Sequence, residues 1–191
     1  MGLRELYGGA LQAEVPDCFV DASKVRVIPD HQEVFTDVDT DQCVIIELLS
    51  MATDFGEGEG ALLAFHHQEL ARSNDAAGPG QSEVVSTRSL GPTDLPCIPA
   101  EAVGYAGLLL AKQRVAKFRE EARNEVEVYL AVVRLPRVTT DLLVSLSRPV
   151  HVDSKSSSHE TMRAGALGPA PMEMFATLLR TLKINNWSLF M

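Results

Sequence analysis

Two carboxylates flank a proline turn in residues 27–35, which read Val-Ile-Pro-Asp-His-Gln-Glu-Val-Phe. Asp30 directly follows Pro29, and Glu33 comes three residues later. A pair of carboxylates can act as a general acid and base when burial raises the pKa of one of them. This stretch is polar and turn-forming, so we expect neither burial nor a raised pKa. The residues therefore do not predict acid–base catalysis at this pair.

The same residues can also be explained as a turn without any function, and the sequence of this stretch alone favours that explanation. Pro29 suits the second position of a turn, and the Asp30 side chain can accept a hydrogen bond from the backbone two residues on. Glu33 could simply face water. The alternative is a charged surface that binds a partner.

Three aspartates, Asp37, Asp39 and Asp41, alternate like the start of a calcium-binding loop. Such a loop needs Gly at its sixth position and Glu at its twelfth, where this chain has Gln42 and Leu48. The pattern therefore predicts a solvated turn between two strands and not a calcium site.

The histidine and glycine patterns also depart from the spacing that a functional site needs. His66 and His67 are adjacent, so their imidazoles point about 100° apart on a helix and cannot easily share a zinc ion. We expect one exposed and one half-buried histidine. Residues 56–60 alternate Gly and Glu, and these carboxylates would repel a phosphate. Without a Walker motif or a Gly-x-Ser-x-Gly elbow, we predict no cofactor, no metal and no enzyme activity.

Composition predicts a single domain over residues 1–191 and limits the partners that it could bind. The formal charge of −9 argues against nucleic acid and suits a basic protein surface, although solubility alone would also explain it. Three widely spaced cysteines predict a reduced compartment. Neither a secretory signal nor an apolar run of about 20 residues is present, so we expect no membrane insertion and a nuclear and cytoplasmic protein.

Hydrophobic periodicity predicts an α+β fold, in which a mainly antiparallel sheet of about six strands is covered by helices. A Gly-, Pro- and Ser-rich loop is expected at about 75–99, and a second polar loop over 152–168. Short connections between the last three strands indicate antiparallel neighbours. The predicted elements are strands at 10–15, 33–36, 43–49, 103–118, 125–134 and 140–147, helices at 58–73 and 171–183, and a helical turn at 21–24 capped by Asp21.

The order of motifs resembles the Ran guanine-nucleotide release factors, the Mog family. The resemblance rests on residues 6–10 (Leu-Tyr-Gly-Gly-Ala), 19–23 (Phe-Val-Asp-Ala-Ser), the segment 27–35 and 40–42 (Thr-Asp-Gln). Residues 134–136 (Arg-Leu-Pro), 140–143 (Thr-Asp-Leu-Leu) and 187–190 (Trp-Ser-Leu-Phe) extend it toward the other end. Residues 54–99 and 152–168 match poorly. The resemblance implies an α/β/α sandwich similar to an extrinsic subunit of photosystem II.

The resemblance also implies a function and assigns roles to particular residues. It implies a monomer that binds the small GTPase Ran and promotes release of its nucleotide, supporting nucleocytoplasmic protein transport. Asp30 and Glu33 match the family's Ran-binding acids, with His31 and Gln32 as neighbours and Asp21 and Lys24 on the same surface. Two alternatives remain open at this point. One is an interaction module without exchange activity, such as a GTPase scaffold or a membrane-protein trafficking partner. The other is a photosynthetic subunit, which would need an organelle-targeting segment.

Overall fold

A seven-stranded antiparallel sheet is the main element of the fold, and among the described residues one helix packs on each of its faces. The computed structural model describes residues 1–58, 60–116, 123–153 and 171–190. The strands are β1 (Gly2–Leu6), β2 (Leu11–Val15), β3 (Val20–Asp21), β4 (Gln32–Asp37), β5 (Gln42–Ser50), β6 (Ser82–Ser89), β7 (Tyr105–Ala116), β8 (Arg123–Leu135), β9 (Thr140–His151) and β10 (Lys183–Ile184). The helices are α1 (Ala61–Ser73) and α2 (Pro171–Thr181).

The large sheet has the strand order β3-β4-β5-β9-β8-β7-β6, and every pairing in it is antiparallel. A separate three-stranded sheet has the order β1-β2-β10. The predicted α+β class and its antiparallel neighbours are therefore confirmed. The large sheet has seven strands where about six were expected, and the small sheet was not predicted as a separate unit.

Both faces of the central strands are buried, because each face packs against a helix. Tyr129, Ala131 and Val133 of β8 join the larger core, to which α2 and the small sheet contribute. Leu130 and Val132 point the other way and pack with α1. A strand that is covered on both faces reads as a continuous apolar run, whereas a half-exposed strand alternates. Simple alternation along β8 would turn Tyr129 outward, but the covering of both faces leaves it buried.

Several element predictions need correction. The predicted loop at 75–99 contains β6, whose side chains are mostly exposed, so the segment lacked the apolar pattern of a packed strand. Strand β1 was also missed, because only Leu6 of its five residues is buried. The predicted loop over 152–168 lies largely outside the described residues, as do the last two residues of the strand predicted to reach 118.

The two histidines of α1 are both buried, so the expectation of one exposed and one half-buried imidazole is wrong. His66 Nε2 lies 3.0 Å from Asp141 Oδ2, and His67 Nε2 lies 3.0 Å from the hydroxyl oxygen of Ser82. Each ring has its own polar partner on a different strand, which allows two adjacent helical residues to be buried together. The pKa of His67 is lowered by burial.

A buried ion pair joins β8 to β9 beneath α1. Arg134 donates two hydrogen bonds of 2.8 Å to the carboxylate of Asp141, which is fully buried and also accepts a bond from the Ala52 backbone N–H. Burial alone would raise the pKa of Asp141. The hydrogen bonds from Arg134, His66 and Ala52 outweigh burial and hold this pKa below its ordinary value. Both ends of the pair come from segments that carry the family resemblance, 134–136 and 140–143.

Candidate functional site

The predicted acidic residues lie at the start of β4, next to the edge of the large sheet. Asp30 sits in a turn closed by a 2.9 Å hydrogen bond from the Gln32 N–H to the Pro29 carbonyl oxygen. The Asp30 side chain is exposed and makes no hydrogen bond or ion pair within the part of the chain that the structure describes. Its charge is therefore available to a partner.

Glu33 has a different environment, because its carboxylate is already used within the protein. Glu33 is half-buried on β4, and its Oε1 accepts a hydrogen bond of 2.5 Å from the backbone N–H of Tyr7. Tyr7 begins the turn between β1 and β2, with a φ of 50°. Gly8 and Gly9 continue this turn at φ of 64° and 88°, where a side chain would be strained. The small sheet thus holds Glu33 in place.

The Tyr7 hydroxyl contacts the backbone close to Glu33, just before β4 and on the neighbouring strand β5. It lies 2.9 Å from the carbonyl oxygens of both His31 and Ile46, to either of which it can donate its proton. The His31 carbonyl oxygen also accepts a hydrogen bond of 2.9 Å from the Leu48 N–H. Burial raises the pKa of Tyr7, and the nearby charges of Glu33 and Glu47 raise it further. The hydroxyl therefore stays protonated and acts as a donor.

Gln32 and His31 make their side-chain contacts with Glu47 of β5. The Gln32 Nε2 donates to Glu47 Oε1 over 2.6 Å, and His31 Nε2 lies 3.4 Å from the same oxygen. Gln32 is opposite Glu47 in the strand register, whereas Glu33 is opposite Ile46 in the larger core. Neighbouring residues of a strand point to opposite faces, so Gln32 and Glu33 extend in opposite directions. Glu47 itself lies on β5, which pairs with β4 on one side and β9 on the other.

Asp21 and Lys24 lie on the element that borders β4. Asp21 of β3 is opposite Phe35 of β4, two residues from Glu33. Its side chain caps the turn Ala22–Lys24 by accepting a 2.8 Å hydrogen bond from the Ser23 N–H, as predicted. This bond lowers the pKa of Asp21. Lys24 is exposed at the end of the turn.

All six predicted residues therefore lie on β3, β4 and the segment that connects them. Within the described residues, neither Asp30 nor Glu33 is paired with a lysine or arginine of this chain. The prediction missed the supporting roles of Tyr7 and Glu47. The Tyr-Gly-Gly sequence of residues 7–9 was a usable signal, because two consecutive glycines indicate a tight turn that brings a backbone N–H close to another element.

The described residues contain neither a cluster of metal ligands nor a helix that could span a membrane. Over residues 1–58, 60–116, 123–153 and 171–190, no group of three or more His, Cys, Asp or Glu side chains could hold a metal ion. Asp37, Asp39 and Asp41 instead lie in and beside the turn between β4 and β5, with Asp37 Oδ2 accepting a bond of 2.7 Å from Thr40. No helix in these ranges is long and apolar enough to cross a membrane.

Comparison with known families identifies the chain. Residues 4–149 match the family model described as "Ran-interacting Mog1 protein". The chain belongs to the Mog1 family. This match confirms the resemblance that the sequence motifs indicated, and it includes all six predicted site residues together with Tyr7 and Asp141.

Curated members of the Mog1 family are similar to this chain over nearly its whole length. A Ran guanine nucleotide release factor of Danio rerio is 36% identical over 189 residues, which cover 98% of both chains. A probable ran guanine nucleotide release factor of Dictyostelium discoideum is 34% identical over 98% of this chain and 95% of its own. The human Ran guanine nucleotide release factor is 32% identical over 97% and 94%.

A solved Mog1 structure matches the architecture. The Ran-binding protein Mog1p of Saccharomyces cerevisiae superposes with a TM-score of 0.71, covering all of this chain and 98% of Mog1p. The identity is 23%, so this likeness shows the fold and not the role of any residue. The Mog fold that the resemblance implied is therefore confirmed.

Proposed function

We propose that this Mog1-family protein binds a Ran-type small GTPase and promotes release of its guanine nucleotide, in support of nuclear protein transport. Relatives named for Ran nucleotide release are up to 36% identical, and one of Schizosaccharomyces pombe at 30% is named a nuclear import protein. The single observation that carries the proposal is the exposed carboxylate of Asp30, which has no partner among the described residues and is held in a closed turn beside Glu33. A negatively charged protein also associates faster with a basic surface.

The binding surface that we propose has Asp30 at its centre. Glu33 contributes its second carboxylate oxygen, while its first remains bonded to the Tyr7 N–H. Lys24 and Asp21 lie on one side of the pair, and Gln32 and His31 extend toward Glu47 on the other. Charged groups of both signs allow the surface to select the orientation of its partner.

The mechanism needs strong contacts, which sets a condition on the interface. A nucleotide held at about picomolar affinity is bound by about 16 kcal/mol. Accelerating its release a thousandfold requires lowering the exit barrier by about 4 kcal/mol. One exposed ion pair contributes only about 0.2–1 kcal/mol, whereas charge pairs within an interface can couple by about 1.5–7 kcal/mol. Asp30 must therefore lose most of its water when the GTPase binds.

Nucleotide release of this kind makes no covalent bond, so the protein acts as a binding regulator and needs no cofactor. It favours a GTPase conformation in which contacts with the nucleotide or magnesium are loosened. Binding linkage is reciprocal. Bound GTP with magnesium should therefore weaken the complex by the same factor by which this protein weakens the GTPase's affinity for that nucleotide. We further propose that the protein is a monomer of nucleus and cytoplasm that does not bind nucleic acid, in keeping with its charge of −9.

The test compares the affinity of this protein for Ran in the nucleotide-free, GDP-loaded and GTP-loaded states, together with the rate of nucleotide release. We expect tighter binding to nucleotide-free Ran and faster release. Asp30→Lys should abolish both. Glu101→Lys is the matched control, because it reverses an exposed charge on the turn that precedes β7, and β7 lies four strand spacings, about 19 Å, from β4. Affinity that is equal for all three states would contradict exchange and indicate a module that binds without releasing nucleotide.

A further inference from the structure

The segment between β3 and β4 exposes two valines next to the acidic turn. Val27 is 98% and Val25 is 79% exposed, which makes them the two most exposed of the large apolar residues that the structure describes. Isolated exposed apolar residues are common on protein surfaces. These two are alternate residues of one short segment, and Val27 lies three residues before Asp30.

The backbone of this segment is held in a defined conformation. The N–H groups of Val25 and Arg26 donate hydrogen bonds of 3.1 Å and 3.0 Å to the Ala22 carbonyl oxygen. Asp21 and the Pro29–Gln32 turn fix the two ends, through the β3–β4 pairing and the 2.9 Å bond between Gln32 and Pro29. A surface that is already ordered loses less conformational entropy when it binds.

The position of the valines places them within reach of the same partner as Asp30. Three residues span at most about 11 Å, while a specific interface covers about 800 Å² on each partner. A charged contact is strong only when apolar neighbours exclude water from it. Asp30 is exposed in the free protein, so the apolar neighbours that this chain can supply lie on the surface around it.

We propose that Val25 and Val27 form the apolar part of the GTPase-binding surface and are buried against Ran beside Asp30. This inference rests on the proposed function, because it takes Ran as the partner. The two side chains would pack on an apolar area of the GTPase that borders the basic residues contacting Asp30, and they would exclude water from that charge pair. Lys24 and Arg26, which alternate with the valines, would remain at the solvated rim.

The experiment measures Ran affinity for Val25→Ala, Val27→Ala and the double variant of the full-length protein, with circular dichroism and thermal unfolding as controls for folding. Both side chains are exposed, so neither substitution should lower the unfolding temperature. Each removes two methyl groups from the interface, and we expect roughly tenfold weaker binding for each. Val84→Ala is the matched control on β6, about 24 Å from β4 by strand spacing, where valine is 45% exposed.

The outcomes separate this inference from the proposed function. Weaker Ran binding by the valine variants, with an unchanged Val84→Ala control, supports the inference. Wild-type affinity in the double variant, together with lost affinity in Asp30→Lys, overturns it and leaves the proposed function standing. No binding by the wild-type protein overturns both. Self-association that the double variant abolishes, measured by sedimentation, would also overturn it, because the valines would then bind a second copy of this chain.

Discussion

Substitution of Glu33 should affect both stability and binding, whereas substitution of Asp30 should affect binding alone. Glu33 Oε1 accepts the Tyr7 N–H over 2.5 Å in a half-buried position, while Asp30 is exposed. Glu33→Lys removes this acceptor and leaves the Tyr7 N–H without its partner. Leaving a buried donor unsatisfied costs about 1–3 kcal/mol. A surface substitution such as Asp30→Lys usually changes stability by no more than about 0.5 kcal/mol.

The expected cost for Glu33→Lys is about 2 kcal/mol, since the site is only partly buried. In a protein of this size each kcal/mol corresponds to roughly 2–4 °C, so the unfolding temperature should fall by about 4–8 °C. Glu33→Gln keeps a carbonyl oxygen that can accept the same hydrogen bond. The loss of charge assistance should therefore cost only about 1 kcal/mol.

The assay is thermal and urea unfolding of the wild-type protein and the three variants. The affinity of each for Ran is then measured at a temperature well below the lowest unfolding temperature. We expect the order Asp30→Lys, Glu33→Gln, Glu33→Lys for increasing loss of stability, and weakened Ran binding in both lysine variants. Equal unfolding temperatures for the two lysine variants would refute the reasoning, because they would show that the bond to Tyr7 contributes nothing measurable.

Three further predictions concern polar groups that are buried or half-buried. Tyr7→Phe removes the hydroxyl that lies 2.9 Å from the His31 carbonyl oxygen, so stability should fall by about 1 kcal/mol in urea unfolding and amide exchange at the start of β4 should accelerate. Asp141→Asn removes the charge that pairs with Arg134 and should cost about 3–5 kcal/mol. Because the pKa of Asp141 is lowered in the folded protein, this carboxylate takes up a proton at higher pH in the unfolded chain than in the folded one. Wild-type stability should therefore decline as pH falls below about 4, with a shallower decline in the variant. The lowered pKa of His67 should likewise make stability fall as pH drops through about 6.5. His67→Asn should make the urea midpoint less dependent on pH in that range.

Elements with a clear periodic spacing of apolar residues were predictable from the sequence, and elements without such spacing were not. α2 was found because Met174, Phe175, Leu178 and Leu179 repeat at helical spacing and are all buried. β6 was not, since most of its side chains are exposed and its composition is that of a loop. Its place in the sheet depends on backbone pairing with β7, which side-chain patterning does not encode.

The sequence predicted which segment forms the candidate site, but it did not predict the contacts that its side chains make. The residues around the Pro29 turn indicated a local acidic surface, and the structure leaves Asp30 exposed there. The difference between Asp30 and Glu33 depends on Tyr7, which is 26 residues away in the chain. Contacts of that length arise from the packing of the small sheet on the large one. The contact between His66 and Asp141, which are 75 residues apart in the chain, arises instead from the packing of α1 on the large sheet.

The outermost strand of the large sheet has a consequence for solubility. β6 ends the strand order, and a terminal strand can template the stacking of further chains into fibrils. Its pairing with β7 shifts register between Val84 and Ser86, and Glu83 and Arg88 are exposed along it. An irregular, charged border is a poor template. Deleting Val85 would restore even pairing and should make concentrated solutions of this protein prone to aggregate.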